Sequence, residues 1–182
     1  MIMETDRLLL LSPDEVTADA LCNYYNVNEK FLEKYEPLKE KEFFTKEYQQ
    51  NLLKNQVKDW ENKVRYRFYI TLKEQPGTVI GFCTLGGIIM NAFCSCFLGY
   101  SLSEANIRKG YMSEAVSRIV EFAFKELHLH RIEANIMPRN KASIGVVQKC
   151  HFVKEGFSKK YLKINGVWED HIHYVLLNPD ME

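Results

Sequence analysis

The sequence lacks long hydrophobic stretches, internal repeats, low-complexity tracts and linker-like segments. No apolar run among the 182 residues approaches the ~20 residues that a membrane-spanning helix needs. The first residues, Met-Ile-Met-Glu-Thr-Asp-Arg, are charged and do not match a secretory signal peptide. We therefore expect one domain over residues 1–182, a cytoplasmic location and no membrane partner.

Cysteine is present, but it shows no pairing pattern. The chain has five cysteines, an odd number, and no Cys-x-x-Cys motif. Several of them lie in apolar, strand-like segments. We expect free, buried thiols in a reducing compartment, rather than disulfides or a zinc site. The cysteines are Cys22, Cys83, Cys94, Cys96 and Cys150.

An excess of charge of either sign is also missing, since the formal net charge is zero. This balance argues against a dedicated nucleic-acid-binding protein. The charge is unevenly placed, however, because residues 105–165 hold twelve Lys or Arg and five Asp or Glu. Such a basic region suits an anionic cofactor, although chance clustering on solvated faces is the alternative.

The two commonest nucleotide-binding loops are absent as well, since neither Gly-x-x-x-x-Gly-Lys-Ser/Thr nor Gly-x-Gly-x-x-Gly occurs. Instead, an apolar run at 93–102 leads through a turn with Arg108, Lys109 and Gly110 into an amphipathic helix. A helix N-terminus binds phosphate, glycine permits close backbone approach, and the two cations add charge. The turn predicts a pyrophosphate cradle, with a glycine-started surface helix as the alternative.

The remaining chain alternates helical and strand patterns. Ser12-Pro13-Asp14-Glu15 is typical of a helix start, Gln75-Pro76-Gly77 of a turn, and Asn165-Gly166 of a two-residue hairpin. An apolar stripe predicts the buried face of the central helix, and it comprises Val116, Ile119, Val120 and Ala123. We expect strands at 8–11, 66–72, 79–88, 93–102, 131–137, 152–157, 160–164 and 167–177. We expect helices at 12–25, 44–62, 111–127 and 140–150, giving one α+β domain.

The loop at 107–112 resembles the acyl-CoA pyrophosphate loop of the GNAT N-acetyltransferases, Gln/Arg-x-x-Gly-x-Gly/Ala. Only Gly110 matches that pattern strictly, but Lys-Gly-Tyr-Met-Ser-Glu-Ala is similar to the variant in the RimJ/RimL branch. Further RimJ/RimL-like motifs follow in the family's order over nearly the whole chain. They are Glu4-Thr5-Asp6-Arg7-Leu8-Leu9-Leu10, Leu98-Gly99-Tyr100, Asn140-Lys-Ala-Ser143, Val153-Lys-Glu-Gly156-Phe157 and Asn165-Gly-Val-Trp168-Glu-Asp170 with Tyr174.

The resemblance implies a three-layer α/β/α fold with a mixed, mostly antiparallel sheet that splays at the cofactor site. It implies acetyl-CoA as cosubstrate and no metal. By position, the pantetheine arm would pair with Tyr100, Ser101 and Leu102. The pyrophosphate loop would comprise Ile107, Arg108, Lys109, Gly110, Tyr111, Met112 and Ser113, and Asn140 would contact CoA or cap its helix.

The resemblance also bears on proton transfer. Many GNAT enzymes carry a tyrosine acid seven residues after the asparagine, but Val147 stands there. Ser143 lies four residues earlier on the same helix face and would be the acid, with a backbone-bonded serine as the alternative. A backbone N–H on the third strand would polarise the thioester carbonyl. The base stays unassigned, with candidates Glu169, Asp170, His171 and His173 on the final strand.

The implied activity is acetyl transfer to an amine, with a protein N-terminal α-amine, such as that of a ribosomal protein, as the preferred acceptor. A small amine (polyamine, amino acid or antibiotic) and a non-catalytic CoA-binding module are the alternatives, and a homodimer is left open. His171 and His173 are expected to be partly exposed strand histidines rather than a metal pair. Most of the aromatic residues between 24 and 48 are expected to pack in the core, and some would line an acceptor groove.

Overall fold

The computed structural model describes residues 1–181, and in these residues four α-helices flank one eight-stranded sheet. None of these helices combines the length and apolar character needed to span a bilayer. The strands are β1 (Ile2–Glu4), β2 (Leu8–Leu11), β3 (Arg65–Leu72), β4 (Gln75–Ile89), β5 (Ser95–Leu102), β6 (Arg131–Ile136), β7 (Val153–Ile164) and β8 (Val167–Leu177). The helices are α1 (Ala18–Leu32), α2 (Lys46–Glu61), α3 (Tyr111–Lys125) and α4 (Lys141–Lys149).

The strand order is β1-β2-β3-β4-β5-β6-β8-β7, and every neighbouring pair except β5 and β6 is antiparallel. This arrangement confirms the predicted mixed, mostly antiparallel sheet. Helix α3 provides the crossover between the two parallel strands, as a parallel connection requires. The β7–β8 hairpin turns at Asn165 and Gly166, whose φ angles are both positive, as its sequence predicts.

The two faces of the sheet carry different helices because side chains alternate along each strand. In β3, Phe68 and Ile70 belong to the core beneath α3, whereas Tyr69 belongs to the core beneath α1 and α2. Val147 places α4 on the α3 face, while α1 packs on β4 and α2 packs on β3. The layers are therefore α1 and α2, then the sheet, then α3 and α4.

Strands β5 and β6 separate part-way along their length. Three parallel pairs join them, of which Phe97 with Glu133 is the last. Beyond this point β5 continues to Leu102 and β6 to Ile136, with no further pair in the described residues. The resulting opening, called here the β5–β6 gap, is the predicted splay.

The predicted helix start at Ser12 is wrong. The Ser12 hydroxyl accepts a hydrogen bond from the Met1 ammonium and bonds to Asp14, and it makes no cap. Val16 is then extended, and α1 begins at Ala18 after Thr17, whose Oγ1 accepts from the Ala20 N–H at 3.2 Å. The helix also runs past the predicted end at 25, because Leu32 on its inner face is buried.

Several strand and helix boundaries also differ from the prediction. Strand β1 was not predicted, and α3 ends at Lys125 rather than 127. The turn between β3 and β4 lies at Lys73 and Glu74, whereas 75–77 fall within β4 beside a register shift. Strand β7 is continuous, with a second register shift between Ser158 and Leu162 where the prediction divides it in two.

Thr17 and not Ser12 should therefore determine the stability of the α1 N-terminus. We expect Thr17→Ala to lower the free energy of unfolding by about 1 kcal/mol, because an N–H of the first turn loses its acceptor. Thr17→Ser retains a hydroxyl and should stay near wild type. Urea denaturation measures both, and a wild-type midpoint for Thr17→Ala would contradict this assignment of the helix start.

Candidate active site

The N-terminus of α3 differs from those of the other helices. Side chains of Thr17, Thr45 and Asn140 cap α1, α2 and α4, whereas Gly110 begins α3 without a side-chain cap. The first-turn N–H groups of α3 therefore lack a capping side chain and remain available to an external acceptor. Arg108 and Gly110 have φ angles of 61° and 82°, so the loop takes the left-handed conformation at both positions. This geometry fits the predicted anion cradle.

The ion pair between Arg7 and Glu114, called here the clasp, anchors this loop to the turn between β1 and β2. Arg7 Nε donates to Glu114 Oε2 at 2.7 Å, and Arg7 Nη1 donates to the Lys109 carbonyl at 3.0 Å. The Arg7 guanidinium also lies over the Tyr111 ring, 4.5 Å from its centroid. Burial opposes ionisation of Glu114, but hydrogen bonds from Thr5 and Arg7 outweigh it and lower the pKa of the carboxyl. The clasp therefore holds above the ordinary carboxyl pKa and weakens as pH falls through the lowered value.

A cavity of about 720 Å³ opens beside this loop. All of the sequence-predicted cofactor residues line it except Lys109, whose Nζ bonds to Asn106 Oδ1 at 3.4 Å. The structure thus brings β5, the loop and the start of α4 to one site. The lining consists of Phe31, Leu32, Tyr35, Tyr100, Ser101, Leu102, Ile107, Arg108, Gly110, Tyr111, Met112, Ser113, Arg139, Asn140, Lys141, Ala142, Ser143, Gly145, Val146 and Lys149.

The cavity is cationic. Arg108, Arg139, Lys141 and Lys149 line it, and no carboxylate appears among its described lining residues. Such a wall concentrates anions. The sequence motifs identified only Arg108 of these four. The basic excess between residues 105 and 165 was the signal for the other three, although it could not say which cations converge.

The free edge of β5 faces the β5–β6 gap. The Ser103 N–H donates to the Ile80 carbonyl at 2.7 Å. Because opposed pairs alternate along an antiparallel ladder, the backbone groups of Ser101 also point toward β4, whereas those of Tyr100 and Leu102 point into the gap. The Ser101 hydroxyl lies 3.1 Å from the Tyr24 hydroxyl. Tyr100 and Leu102 therefore offer the strand edge to which an extended ligand could pair.

Helix α4 presents Asn140 and Ser143 to the cavity. Asn140 Oδ1 accepts from the Ser143 N–H at 3.1 Å, so the capping role is present and its amide nitrogen can serve a ligand. The Ser143 side chain lies within hydrogen-bonding reach of the Tyr100 hydroxyl, which donates to the Ser143 carbonyl at 2.7 Å. Burial raises the pKa of Tyr100, which stays protonated. Val147 is fully buried and contributes no proton donor.

The predicted base candidates on β8 have different environments. Glu169 Oε1 pairs with Arg139 Nη2 at 2.9 Å, and Asp170 Oδ1 accepts from the Lys160 N–H at 2.8 Å within the β7 irregularity. His171 is buried rather than partly exposed, and burial lowers its pKa. His173 forms hydrogen bonds through both ring nitrogens, with Glu133 at Nδ1 and with Ser158 at Nε2. Within residues 1–181 there is no cluster of three His, Cys, Asp or Glu side chains placed to hold a metal.

A family model described as an acetyltransferase (GNAT) domain matches residues 7–153. The chain belongs to the GNAT acetyltransferase family. It is therefore an acetyl-CoA-dependent N-acetyltransferase. The uncapped helix, the cationic wall and the free strand edge fit a long ligand with a phosphate-rich end and an amide-containing arm.

Relatives extend over nearly the whole chain. The probable N-acetyltransferase YjcK of Bacillus subtilis is 39% identical over 177 residues, which are 97% of each protein. The ribosomal protein uS5-alanine N-acetyltransferase of Escherichia coli is 31% identical over 179 residues, 98% of this chain and 91% of that protein. The crystal structure of the ribosomal-protein-S5-alanine acetyltransferase of Vibrio fischeri superposes with a TM-score of 0.92 at 33% identity, covering 100% of this chain and 99% of that one. The RimJ/RimL resemblance is thereby confirmed.

The left-handed backbone at Gly110 should matter for acetyl-CoA binding. We expect Gly110→Ala to raise the Kd about tenfold, because an L-residue at positive φ costs about 1–2 kcal/mol and the loop would relax away from its binding conformation. Gly77→Ala is the matched control, since a Cβ there meets nothing within 4 Å. Calorimetric titration of both variants measures the effect, and equal Kd values would contradict it.

Proposed function

We propose that this acetyltransferase acts on the N-terminal α-amine of a ribosomal protein. The supporting observation is the similarity, over 98% of the chain, to an enzyme named for acetylating an alanine of ribosomal protein uS5. The Vibrio fischeri structure, named for the same protein, supports it at 33% identity. A ribosomal acceptor would place the reaction in the cytoplasm.

In this proposal, acetyl-CoA lies along the β5–β6 gap. The first-turn N–H groups of α3 and the cation of Arg108 hold the pyrophosphate, and the backbone edge at Tyr100 and Leu102 pairs with the pantetheine arm. The N–H of Tyr100 points into the gap and can donate to the thioester carbonyl as charge develops on it. The cavity supports this assignment through its size, its sign of charge and the convergence of these groups.

Ser143 is assigned as the general acid that protonates the departing thiolate. Its hydroxyl lines the cavity on the first turn of α4, so its proton can be directed to a ligand in the cavity. The Tyr100 hydroxyl, bonded to the Ser143 carbonyl, fixes that turn relative to β5. The family's usual tyrosine position, Val147, cannot serve because its side chain is apolar and buried.

The acceptor class is tested with synthetic peptides that carry the N-terminal sequences of ribosomal proteins. We expect acetylated peptide and free CoA in equal amounts, measured by mass spectrometry and thiol release. The same peptides with a blocked N-terminus are the control and should give neither product. Turnover of spermidine in place of the peptides would instead support the small-amine alternative, and no turnover with any amine would favour a CoA-binding module.

Ser143→Ala should lower kcat about 100-fold while leaving the Kd for acetyl-CoA unchanged, because a general acid acts in the transition state. Ser113→Ala removes a hydroxyl from the loop end of the same cavity and should affect binding more than kcat. Rapid-quench kinetics and calorimetry separate the two effects. An unchanged kcat for Ser143→Ala would mean that water protonates the thiolate.

A further inference from the structure

A hydrogen-bonded chain of three side chains crosses strands β6, β8 and β7. His173 Nδ1 lies 3.0 Å from Glu133 Oε1, and His173 Nε2 lies 2.8 Å from Ser158 Oγ. The Glu133 carboxylate beside Nδ1 favours the tautomer that carries its proton on Nδ1. Nε2 is then left to accept a hydrogen bond from the Ser158 hydroxyl. The arrangement is that of an imidazole ready to receive a proton through a hydroxyl group.

This chain of groups stands on the sheet face that carries α1 and α2. Ile132 and Ala134 of β6 are buried in the core beneath α3, so Glu133 between them projects from the opposite face. Glu133 is also paired with Phe97 at the vertex of the β5–β6 gap. On that face α1 and α2 pack on β4 and β3, and the connection after α1 contacts the β7–β8 turn, where the Asn165 N–H donates to the Glu36 carbonyl at 3.1 Å. An acceptor would approach Glu133 between these contacts.

Asn135, the next residue of β6 on this face, has an unmatched oxygen. Its Nδ2 donates to the Tyr161 hydroxyl at 3.3 Å, and its buried Oδ1 has no hydrogen-bond partner among the described residues. The register places Asn135 opposite His173, and the Tyr161 ring packs edge-on against the imidazole.

Charged and titratable groups surround His173. Glu133 and Arg131 face it from β6, Glu155 and Tyr161 from β7, and His171 from its own strand. Burial opposes ionisation of Glu133, but hydrogen bonds from Arg131 and His173 outweigh it and lower the pKa of this carboxyl. Glu133 therefore stays anionic near neutral pH and keeps a hydrogen-bond acceptor beside Nδ1 of the imidazole.

We propose that Glu133, His173 and Ser158 form the proton-accepting relay for acetyl transfer. The amine nitrogen bonds to the thioester carbonyl carbon, the C–S bond breaks, and the thiolate leaves with the electron pair. The proton lost by the nitrogen passes to Ser158, whose own proton moves to His173 Nε2. The inference rests on the proposed function and supplies the base that the sequence left unassigned.

The relay is tested by comparing two acceptors across pH. One is a peptide with an ordinary α-amine. The other is the same peptide with a hydrazide in place of its N-terminal α-amine. The hydrazide nitrogen is neutral at assay pH and loses its proton to water after attack. For the α-amine we expect His173→Gln and Ser158→Ala to lower kcat about 100-fold. The pH profile of kcat should change in both variants, because the group that accepts the proton is either removed or disconnected from the amine.

For the hydrazide, both variants should stay within about threefold of wild type, an outcome that a merely structural role of His173 would not produce. His151→Gln, the same substitution at an exposed turn, should match wild type with both acceptors. An acetyl-CoA titration shows that each variant retains the cofactor site, and Ser158→Ala, which removes a single hydroxyl, serves if His173→Gln does not fold.

The outcomes separate the two proposals. If wild type acetylates the peptide and both His173→Gln and Ser158→Ala keep the wild-type rate and pH profile, the relay is overturned. The proposed function is then unaffected. Equal losses with both acceptors would also overturn it, since they would indicate a structural defect. A wild type that acetylates neither acceptor would overturn the proposed function, and the relay would be rejected with it.

Discussion

The unpaired stretch between β5 and β6 is the constraint on which the rest of the structure depends. Backbone groups within a sheet normally pair, so two neighbouring strands remain apart only if other contacts hold them. The Tyr100 hydroxyl spans the opening to the Ser143 carbonyl, and Val147 anchors α4 in the core beneath α3. These contacts within the protein hold the strand edge in position, and such preorganisation lowers the ordering cost of binding.

The gap also has different chemistry at its two ends. Beside the loop, an uncapped helix and the cations Arg108, Lys141 and Lys149 provide sites for negative charge. At the vertex, where β5 and β6 last pair, Glu133 lies beside His173, with Oε1 3.0 Å from Nδ1. An acetyl-CoA in the gap would have its pyrophosphate beside the loop and its thioester toward the vertex, where an amine could attack.

The features that the sequence revealed are those determined by neighbouring residues. The Gly110 helix start and the Asn165-Gly166 hairpin follow from local backbone preferences, and the motif order fixed the family. The start of α1 was misplaced because Ser12 satisfies every local criterion for a cap but is engaged by Met1. The contacts of His173 were out of reach, since its partners lie 40 and 15 residues away on other strands. The cations of the cavity converge only when α4 packs beside the loop.

The clasp between Arg7 and Glu114 has a consequence for how the protein is assembled and maintained. It joins residues 107 positions apart, so the cofactor loop gains its final support only after the N-terminal strand has joined the sheet. A ligand that needs the assembled loop stabilises the native state by mass action, and at 100 times its Kd it adds about 2.7 kcal/mol. Cofactor binding and the docking of the chain's first residues are therefore thermodynamically linked.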